Sequence, residues 1–188
     1  LVGSEMCIRD RFQVGDFFEL YGEDAKQAAE LEAKGYRELV ITGIEIASYG
    51  VDLVGKSDLA DVVTAVAKAA PGLRMRLGSI EPSIITEDLC RRLAECSGVC
   101  RHFHLSLQSG CDATLKAMNR KYDTARFAEA AGLLRRFFPG CALTCDLIVG
   151  FPGETEEHHR QTLEFLEKIG FADAHIFPYS RRPGTPAD

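Results

Sequence analysis

The residues with the clearest capacity for chemistry lie in the stretch ECSGVCRHFHLSLQSGC, at positions 95–111. Cys96 and Cys100 are four residues apart, and two histidines follow them. Thiolates and imidazoles are the usual ligands of zinc, and thiolates also hold iron–sulfur clusters. A metal site would need a further ligand nearby, but Cys100 and Cys111 bracket a predicted strand about 30 Å long. Because free cysteine is among the most buried residue types, the pattern favours core thiols.

The two histidines of this stretch, His102 and His104, are separated by one apolar residue. In a strand, both side chains therefore point to the same side of the sheet. His104 lies nearer the carboxyl end of the strand, which makes it the candidate of the two for facing a ligand. The pattern favours histidines whose hydrogen bonds are satisfied within the fold, with a ligand-facing His104 as the alternative.

Composition is that of a globular chain. The 188 residues are 46% hydrophobic and 27% charged, enough for one domain with a core. No apolar run reaches the roughly 20 residues of a membrane span, and the first residues lack the order of a signal peptide. We therefore expect a cytoplasmic protein with no membrane partner. The net charge of −6 argues against a stand-alone nucleic-acid binder, and the seven cysteines are expected to be reduced.

Strand and helix patterns alternate along most of the sequence. Short β-branched or apolar runs predict strands over 37–44, 73–80, 101–108, 141–150 and 173–180. Helical periodicity predicts helices over 23–34, after a Ser57 cap, after Thr86, around 115–118 and 127–138, and over 155–169. This alternation predicts an α/β fold with parallel strands, either a doubly wound sheet or part of a (β/α) barrel.

Small and polar residues follow the predicted strands at their carboxyl ends. These segments are Thr42-Gly43-Ile44-Glu45, Gly78-Ser79-Ile80-Glu81, Gln108-Ser109-Gly110, Gly150-Phe151-Pro152-Gly153-Glu154 and Tyr179-Ser180. In barrels and open α/β sheets, ligands bind at the carboxyl ends of the strands. We therefore expect these segments to mark the ligand-binding edge.

Five segments in order resemble one family. They are YRELVITGIEIASYGVDL, RLGSIEP, CRHFHLSLQSGCDATLKAMNRKY, DLIVGFPGETEE and FPYSRRPGTPA. Together they resemble the radical S-adenosylmethionine (radical SAM) methylthiotransferases that modify tRNA. The most similar branch is the MtaB-like one, which acts on threonylcarbamoyladenosine beside the anticodon. The resemblance runs from about Gly35 to the C-terminus.

The resemblance implies a partial radical SAM barrel that holds S-adenosylmethionine and a [4Fe–4S] cluster, with tRNA as substrate. The cofactor-binding residues that it implies are Thr42, Gly43, Glu45, Gln108, Ser109, Gly150, Phe151, Pro152, Gly153, Glu154, Tyr179 and Arg182. By position, residues 42–45 would meet the methionine, Gln108 and Ser109 the ribose, and residues 150–154 the adenine. Ser106 stands where the family usually has proline.

One motif of the family is not found in this sequence. The family binds its catalytic cluster through Cys-x3-Cys-x2-Cys after the first barrel strand, and none of the seven cysteines is spaced in that way. The resemblance therefore predicts a fragment that is inactive as written and lacks the first βα unit, with no catalytic residue and no metal ligand assigned. The family's N-terminal cluster domain and C-terminal RNA-binding domain are not matched either.

The N-terminal residues resemble something else. Residues 12–30 resemble the start of the MutS mismatch-recognition domain, with Phe17 and Glu19 at its Phe-x-Glu motif, and residues 1–11 resemble an artefactual leader. The expected division is therefore leader, snippet of 12–30 and barrel core of 31–188. Two alternatives stay open: another radical SAM enzyme, or a mismatched-DNA-binding module, which the acidic charge disfavours.

Overall fold

Helices and strands alternate in the computed structural model, which describes residues 13–14, 17–18, 24–42, 46, 58–181, 183–184 and 187. The strands are β1 (Gln13–Val14), β2 (Phe17–Phe18), β3 (Glu38–Ile41), β4 (Arg74–Leu77), β5 (His102–Gln108), β6 (Ala142–Val149) and β7 (Asp173–Pro178). The α-helices are α1 (Asp24–Ala33), α2 (Leu59–Ala69), α3 (Glu87–Glu95), α4 (Asp112–Ala117), α5 (Thr124–Phe137) and α6 (Glu156–Ile169). The predicted α/β class is therefore confirmed.

The chain divides into two compact units. The first unit comprises residues 1–80 and 87–103, and the second comprises residues 81–86 and 104–188. Strands β3 and β4 pair in parallel within the first unit. Strands β1 and β2 pair as an antiparallel hairpin, which the sequence pattern did not predict. In the second unit, β6 lies between β5 and β7 and pairs with β7 in parallel.

Helix α2 of the first unit begins at a capping box. The Asp58 carboxylate accepts a hydrogen bond from the Asp61 amide, and the Asp61 carboxylate accepts one from the Asp58 amide, each at 3.0 Å. The prediction that Ser57 caps this helix is therefore wrong, because the reciprocal pair of carboxylates fixes the start one residue later. Arg92 of α3 also bonds both carboxylates, at 2.7 Å and 2.5 Å, and so joins the two helices.

Helix α6 of the second unit has the ends that the sequence predicts. The Thr155 hydroxyl caps the amide of His158, and Gly170 ends the helix with a left-handed φ of 65°. Buried apolar side chains of β5 and β6 alternate with half-buried ones along most of each strand. None of the helices in the described residues is long and apolar enough to cross a bilayer.

Candidate cofactor site

Strand β5 ends at a residue in an unusual backbone conformation. Gln108 has a φ of 69°, in the left-handed region that residues other than glycine rarely adopt. Such a conformation costs about 1–3 kcal/mol and persists where the surrounding structure enforces it, often at binding sites. The turn after β5 is therefore held in a shape that the local sequence alone does not favour.

The side chain of Tyr122 fixes the end of β5 through hydrogen bonds to its backbone. Its hydroxyl donates hydrogen bonds to the carbonyl oxygen of Ser106 and, at 3.2 Å, to that of Leu107. Burial raises the pKa of Tyr122 to about 12, because the phenolate would lose its hydration. Tyr122 ends the segment CRHFHLSLQSGCDATLKAMNRKY, but nothing in that pattern indicates a role for it. The structure identifies it as a positioning residue for the end of β5.

We expect the free energy of unfolding to decrease at alkaline pH because Tyr122 ionises. Its pKa is about 12 when folded and about 10 when unfolded, so the unfolded state loses this proton first as the pH rises. This contribution is fully present below pH 10 and is lost progressively from pH 10 to 12. Urea unfolding across that range should show the decline in the wild type and a shallower decline in Tyr122→Phe.

The Tyr122→Phe variant should itself be about 1–2 kcal/mol less stable at neutral pH, because two backbone carbonyls lose a buried donor. Burial also raises the pKa of Cys145 to about 12, and this thiol contributes equally to both proteins. Parallel alkaline curves for the two proteins would contradict the role given to Tyr122.

Ser109 and Gly110 turn inward, against helix α6. The Ser109 hydroxyl lies 3.3 Å from the hydroxyl of Thr162 and accepts a hydrogen bond from the Cys111 amide at 3.2 Å. The Gly110 amide donates to the Thr162 hydroxyl, also at 3.2 Å. Ser109 is only 1% exposed, so its hydroxyl is used within the fold. Because this value covers the whole residue, its backbone is enclosed as well.

The loop after β6 is closed by its own glutamate. One carboxylate oxygen of Glu154 accepts hydrogen bonds from the amides of Gly150 at 2.5 Å and Phe151 at 3.3 Å. The Glu154 amide donates in return to the Phe151 carbonyl oxygen at 2.8 Å. Gly150 and Gly153 have φ of 73° and 84°, with open space where a Cβ would stand. The loop is therefore a formed, open-faced turn in which Glu154 acts as the internal acceptor.

Two aromatic rings meet beside this loop. Phe151 and Tyr179 pack edge to face, with ring centroids 5.1 Å apart. The amide of Tyr179 donates to the Val149 carbonyl oxygen at 2.8 Å, which extends the pairing of β6 and β7 past the strand ends. Both rings are half-buried. A half-exposed aromatic pair next to open backbone suits a flat ring such as adenine.

The remaining sequence-predicted residues lie elsewhere or are not described. Thr42 follows β3 in the first unit and is exposed, and its hydroxyl packs against Gly78, where a Cβ would lie 2.7 Å away. Gly43, Glu45 and Arg182 lie outside the described residues. Pro152, in the loop after β6, is exposed. The second unit thus brings together the predicted residues at the ends of β6 and β7, with Gln108 at the end of the neighbouring strand.

Four of the six cysteines in the described residues are buried, namely Cys90, Cys100, Cys111 and Cys145. Cys100 is 7% exposed and accepts a hydrogen bond from Arg74 at 3.3 Å, while Cys96 is half-buried and donates to the Arg92 carbonyl oxygen at 3.3 Å. The burial predicted for Cys100 is confirmed. Within the described ranges, the one group of three candidate metal ligands contains no cysteine. Since [4Fe–4S] clusters are held by thiolates, these residues do not fit that cofactor.

His104 has its hydrogen bonds satisfied, as predicted, but by partners that the sequence did not indicate. Its Nδ1 lies 2.9 Å from the Thr144 hydroxyl, and its Nε2 lies 3.1 Å from a carboxylate oxygen of Asp146. His175 lies 3.4 Å from the other oxygen of the same carboxylate. The sequence carries no signal for this group, since nothing local links the three strands that carry it.

Comparison with solved structures shows the fold. The radical SAM methyltransferase TsrM from Kitasatospora setae superimposes with a TM-score of 0.68 and 19% identity, over 87% of this chain and 32% of that one. Coproporphyrinogen III oxidase from Escherichia coli, also a radical SAM enzyme, gives a TM-score of 0.62 and 18% identity, over 85% and 36%. At these identities the likeness concerns the fold alone.

Comparison of sequences identifies relatives with assigned activities. The threonylcarbamoyladenosine tRNA methylthiotransferases MtaB of Thermotoga maritima and Bacillus subtilis are each 41% identical, over 86% and 88% of this chain. A tRNA-2-methylthio-N(6)-dimethylallyladenosine synthase from Acetivibrio thermocellus is 40% identical over 84%. The chain spans about a third of the length of these proteins. The Radical SAM superfamily profile matches residues 5–166, most of the chain, and the protein therefore belongs to that superfamily.

Proposed function

We propose that this chain is the cofactor-binding part of a tRNA methylthiotransferase that acts on threonylcarbamoyladenosine next to the anticodon. The identity of 41% to two MtaB enzymes is the observation that carries the proposal. Identity to a dimethylallyladenosine synthase is nearly as high, at 40%. The sequence identities therefore support the methylthiotransferase class more strongly than they support the MtaB branch within it. The partner would be tRNA, and we propose no membrane partner.

The proposed cofactor site lies at the carboxyl edge of β5, β6 and β7. The Phe151 and Tyr179 rings and the open backbone of Gly150 and Gly153 would bind the adenosine part of S-adenosylmethionine. The strained backbone of Gln108 would approach the ribose. From the family resemblance, we propose that Thr42, Gly43 and Glu45 bind the methionine end. We propose Arg182 as a further cofactor-binding residue, in the same strand-end motif as Tyr179. S-adenosylmethionine, when bound to a reduced cluster, supplies a radical.

We also propose that this chain does not carry out the reaction by itself. Its sequence has no Cys-x3-Cys-x2-Cys triplet, and the Cys145 thiol resists ionisation because burial raises its pKa to about 12. The division into residues 1–11, 12–30 and the barrel core of 31–188 remains part of the same proposal.

Anaerobic reconstitution with iron and sulfide tests the inactivity. We expect the purified chain to take up no stoichiometric [4Fe–4S] cluster and to form no 5′-deoxyadenosine from S-adenosylmethionine and dithionite. The MtaB enzyme of Bacillus subtilis, treated in parallel, is the positive control. A cluster with 5′-deoxyadenosine formation in this chain would contradict the inactivity and leave the family unchanged.

A chimera tests the substrate separately. Residues 58–181 would replace the aligned segment of Bacillus subtilis MtaB, whose own cysteines are retained. We expect this chimera to methylthiolate threonylcarbamoyladenosine in tRNA. If the chimera has a normal cluster spectrum but modifies only dimethylallyladenosine, the chain would instead be assigned to the dimethylallyladenosine synthases. If neither nucleoside were modified, the methylthiotransferase proposal would be wrong.

A further inference from the structure

Three polar side chains meet on one face of the β5–β6–β7 sheet, away from its buried core. His104 belongs to β5, Asp146 to β6 and His175 to β7. The odd-numbered neighbours Leu105 and Leu147 are buried on the opposite face. Asp146 and His175 stand directly opposite each other in the parallel register. The sheet pairing therefore assembles the group, which we call the His–Asp–His cluster.

We propose that the His–Asp–His cluster binds a divalent transition-metal ion such as zinc. Two imidazoles and one carboxylate are ligands that suit zinc, iron and cobalt, and three protein ligands leave a position open for water. The three donor atoms lie within 4.8 Å of one another. Nothing in the cofactor site described above requires these side chains.

The donor atoms are close enough to converge on one ion after small rotations of the side chains. Ligands bonded at about 2.0–2.2 Å to a tetrahedral zinc ion lie roughly 3.3–3.6 Å from each other. His104 Nε2 is 3.1 Å from Asp146 Oδ2, and His175 Nδ1 is 3.4 Å from Asp146 Oδ1. The side chain of His175 is 60% exposed, so its ring is free to turn and an ion can enter from solvent.

The second nitrogen of His104 provides an independent observation. Metal-bound histidines almost always donate their other N–H to an oxygen acceptor, which fixes the tautomer and the ring. His104 Nδ1 lies 2.9 Å from the hydroxyl of Thr144, which is itself buried. In the metal-bound form, His104 would carry its proton on Nδ1, donate it to the Thr144 hydroxyl and turn the Nε2 lone pair to the ion beside Asp146. The Thr144 hydroxyl is thus already placed to orient this ring as a ligand.

The His–Asp–His cluster is separate from the proposed cofactor edge. His104 precedes Gln108, the last residue of β5, by four positions, and His175 precedes Pro178, the last of β7, by three. At about 3.3 Å per residue, these side chains lie roughly 10–13 Å before the strand ends. Metal binding here and cofactor binding at the edge can therefore be tested independently.

Titration of the whole chain with zinc and cobalt chloride tests the site. After dialysis against a chelator, calorimetry should show one zinc ion per chain. Cobalt should give visible d–d absorption without the intense near-ultraviolet band of cobalt–thiolate bonds. His175→Ala and Asp146→Asn should weaken binding at least about 100-fold, and Thr144→Val about 10- to 100-fold.

The matched control is His159→Ala, which removes a histidine of α6 and should bind zinc as the wild type does. Far-ultraviolet circular dichroism would verify that each variant is folded, and the exposed His175 makes its variant the safest in this respect. Absence of stoichiometric binding would overturn the proposal. So would unchanged affinity in folded His175→Ala, or a cobalt–thiolate spectrum, which would place the ion on cysteines.

Discussion

Replacing Gly110 with alanine is expected to destabilise the second unit by about 3 kcal/mol. A Cβ at this position would lie 2.8 Å from the Cα of Thr162 and 3.0 Å from its carbonyl oxygen. These are backbone atoms of α6, which cannot rotate away as a flexible side chain can. The helix would have to move, and the hydrogen bond from the Gly110 amide to the Thr162 hydroxyl would be lost.

Gly132→Ala is the matched control for Gly110→Ala. Gly132 lies within α5, and a Cβ there would meet nothing within 4 Å. Alanine should therefore stabilise this helix by up to about 1 kcal/mol, because it lowers the backbone entropy lost on folding. Urea unfolding followed by circular dichroism should show opposite shifts of the midpoint. Equal shifts, or a stable Gly110→Ala protein, would show that the turn after β5 and helix α6 are not packed this closely.

Phe127→Ala should cost about 3–5 kcal/mol, the usual range for removing a fully buried aromatic ring. Phe127 of α5 is 0% exposed and packs edge to face on Phe165 and Phe171, at 5.8 Å between centroids in each case. Its ring also lies 6.5 Å from that of Tyr122, which holds the end of β5. The cavity left by Phe127→Ala would therefore extend to Tyr122, whose hydroxyl holds the end of β5 at the proposed cofactor site.

Phe137→Ala on the same helix is the control for Phe127→Ala. The ring of Phe137 is half-buried and lies under the Arg136 guanidinium, 4.8 Å from its centroid. A cation–π contact at such a position is worth about 0.5–1 kcal/mol, so this substitution should cost well under half as much. Thermal unfolding monitored by circular dichroism would compare the two. Similar losses would mean that Phe127 is not at the centre of the core.

The parts of the fold that sequence predicted correctly are those set by local signals. Helix α6 has a threonine cap, acids in its first turn and a terminal glycine, and each of these acts within one turn of the helix. The same holds for the end of β5 at Gln108, which the following Ser-Gly turn indicated. The strands β3 and β4 are shorter than their apolar runs, because pairing stops at Ile41 and Leu77.

The features that sequence did not predict depend on contacts between distant residues. Tyr122 reaches back 16 residues to the Ser106 carbonyl, and His104 and Thr144 are 40 residues apart. Strand register decides such contacts, and no local pattern reports it. Glu154 illustrates a subtler case. Its position at the carboxyl end of a strand suggested that its carboxylate faces a ligand. Instead, the carboxylate accepts hydrogen bonds from the nearby amides of Gly150 and Phe151.

The proposed cofactor site is tested most directly by locating the residues of this chain that bind S-adenosylmethionine. Amide chemical shifts of the isotope-labelled protein would be recorded during titration with the cofactor. We expect the shifts to concentrate at Gln108–Gly110, Gly150–Glu154 and Tyr179, to weaken in Phe151→Ala and to persist in His175→Ala. Shifts centred on other residues, or none at all in a folded protein, would contradict a cofactor site at the carboxyl edge of β5, β6 and β7.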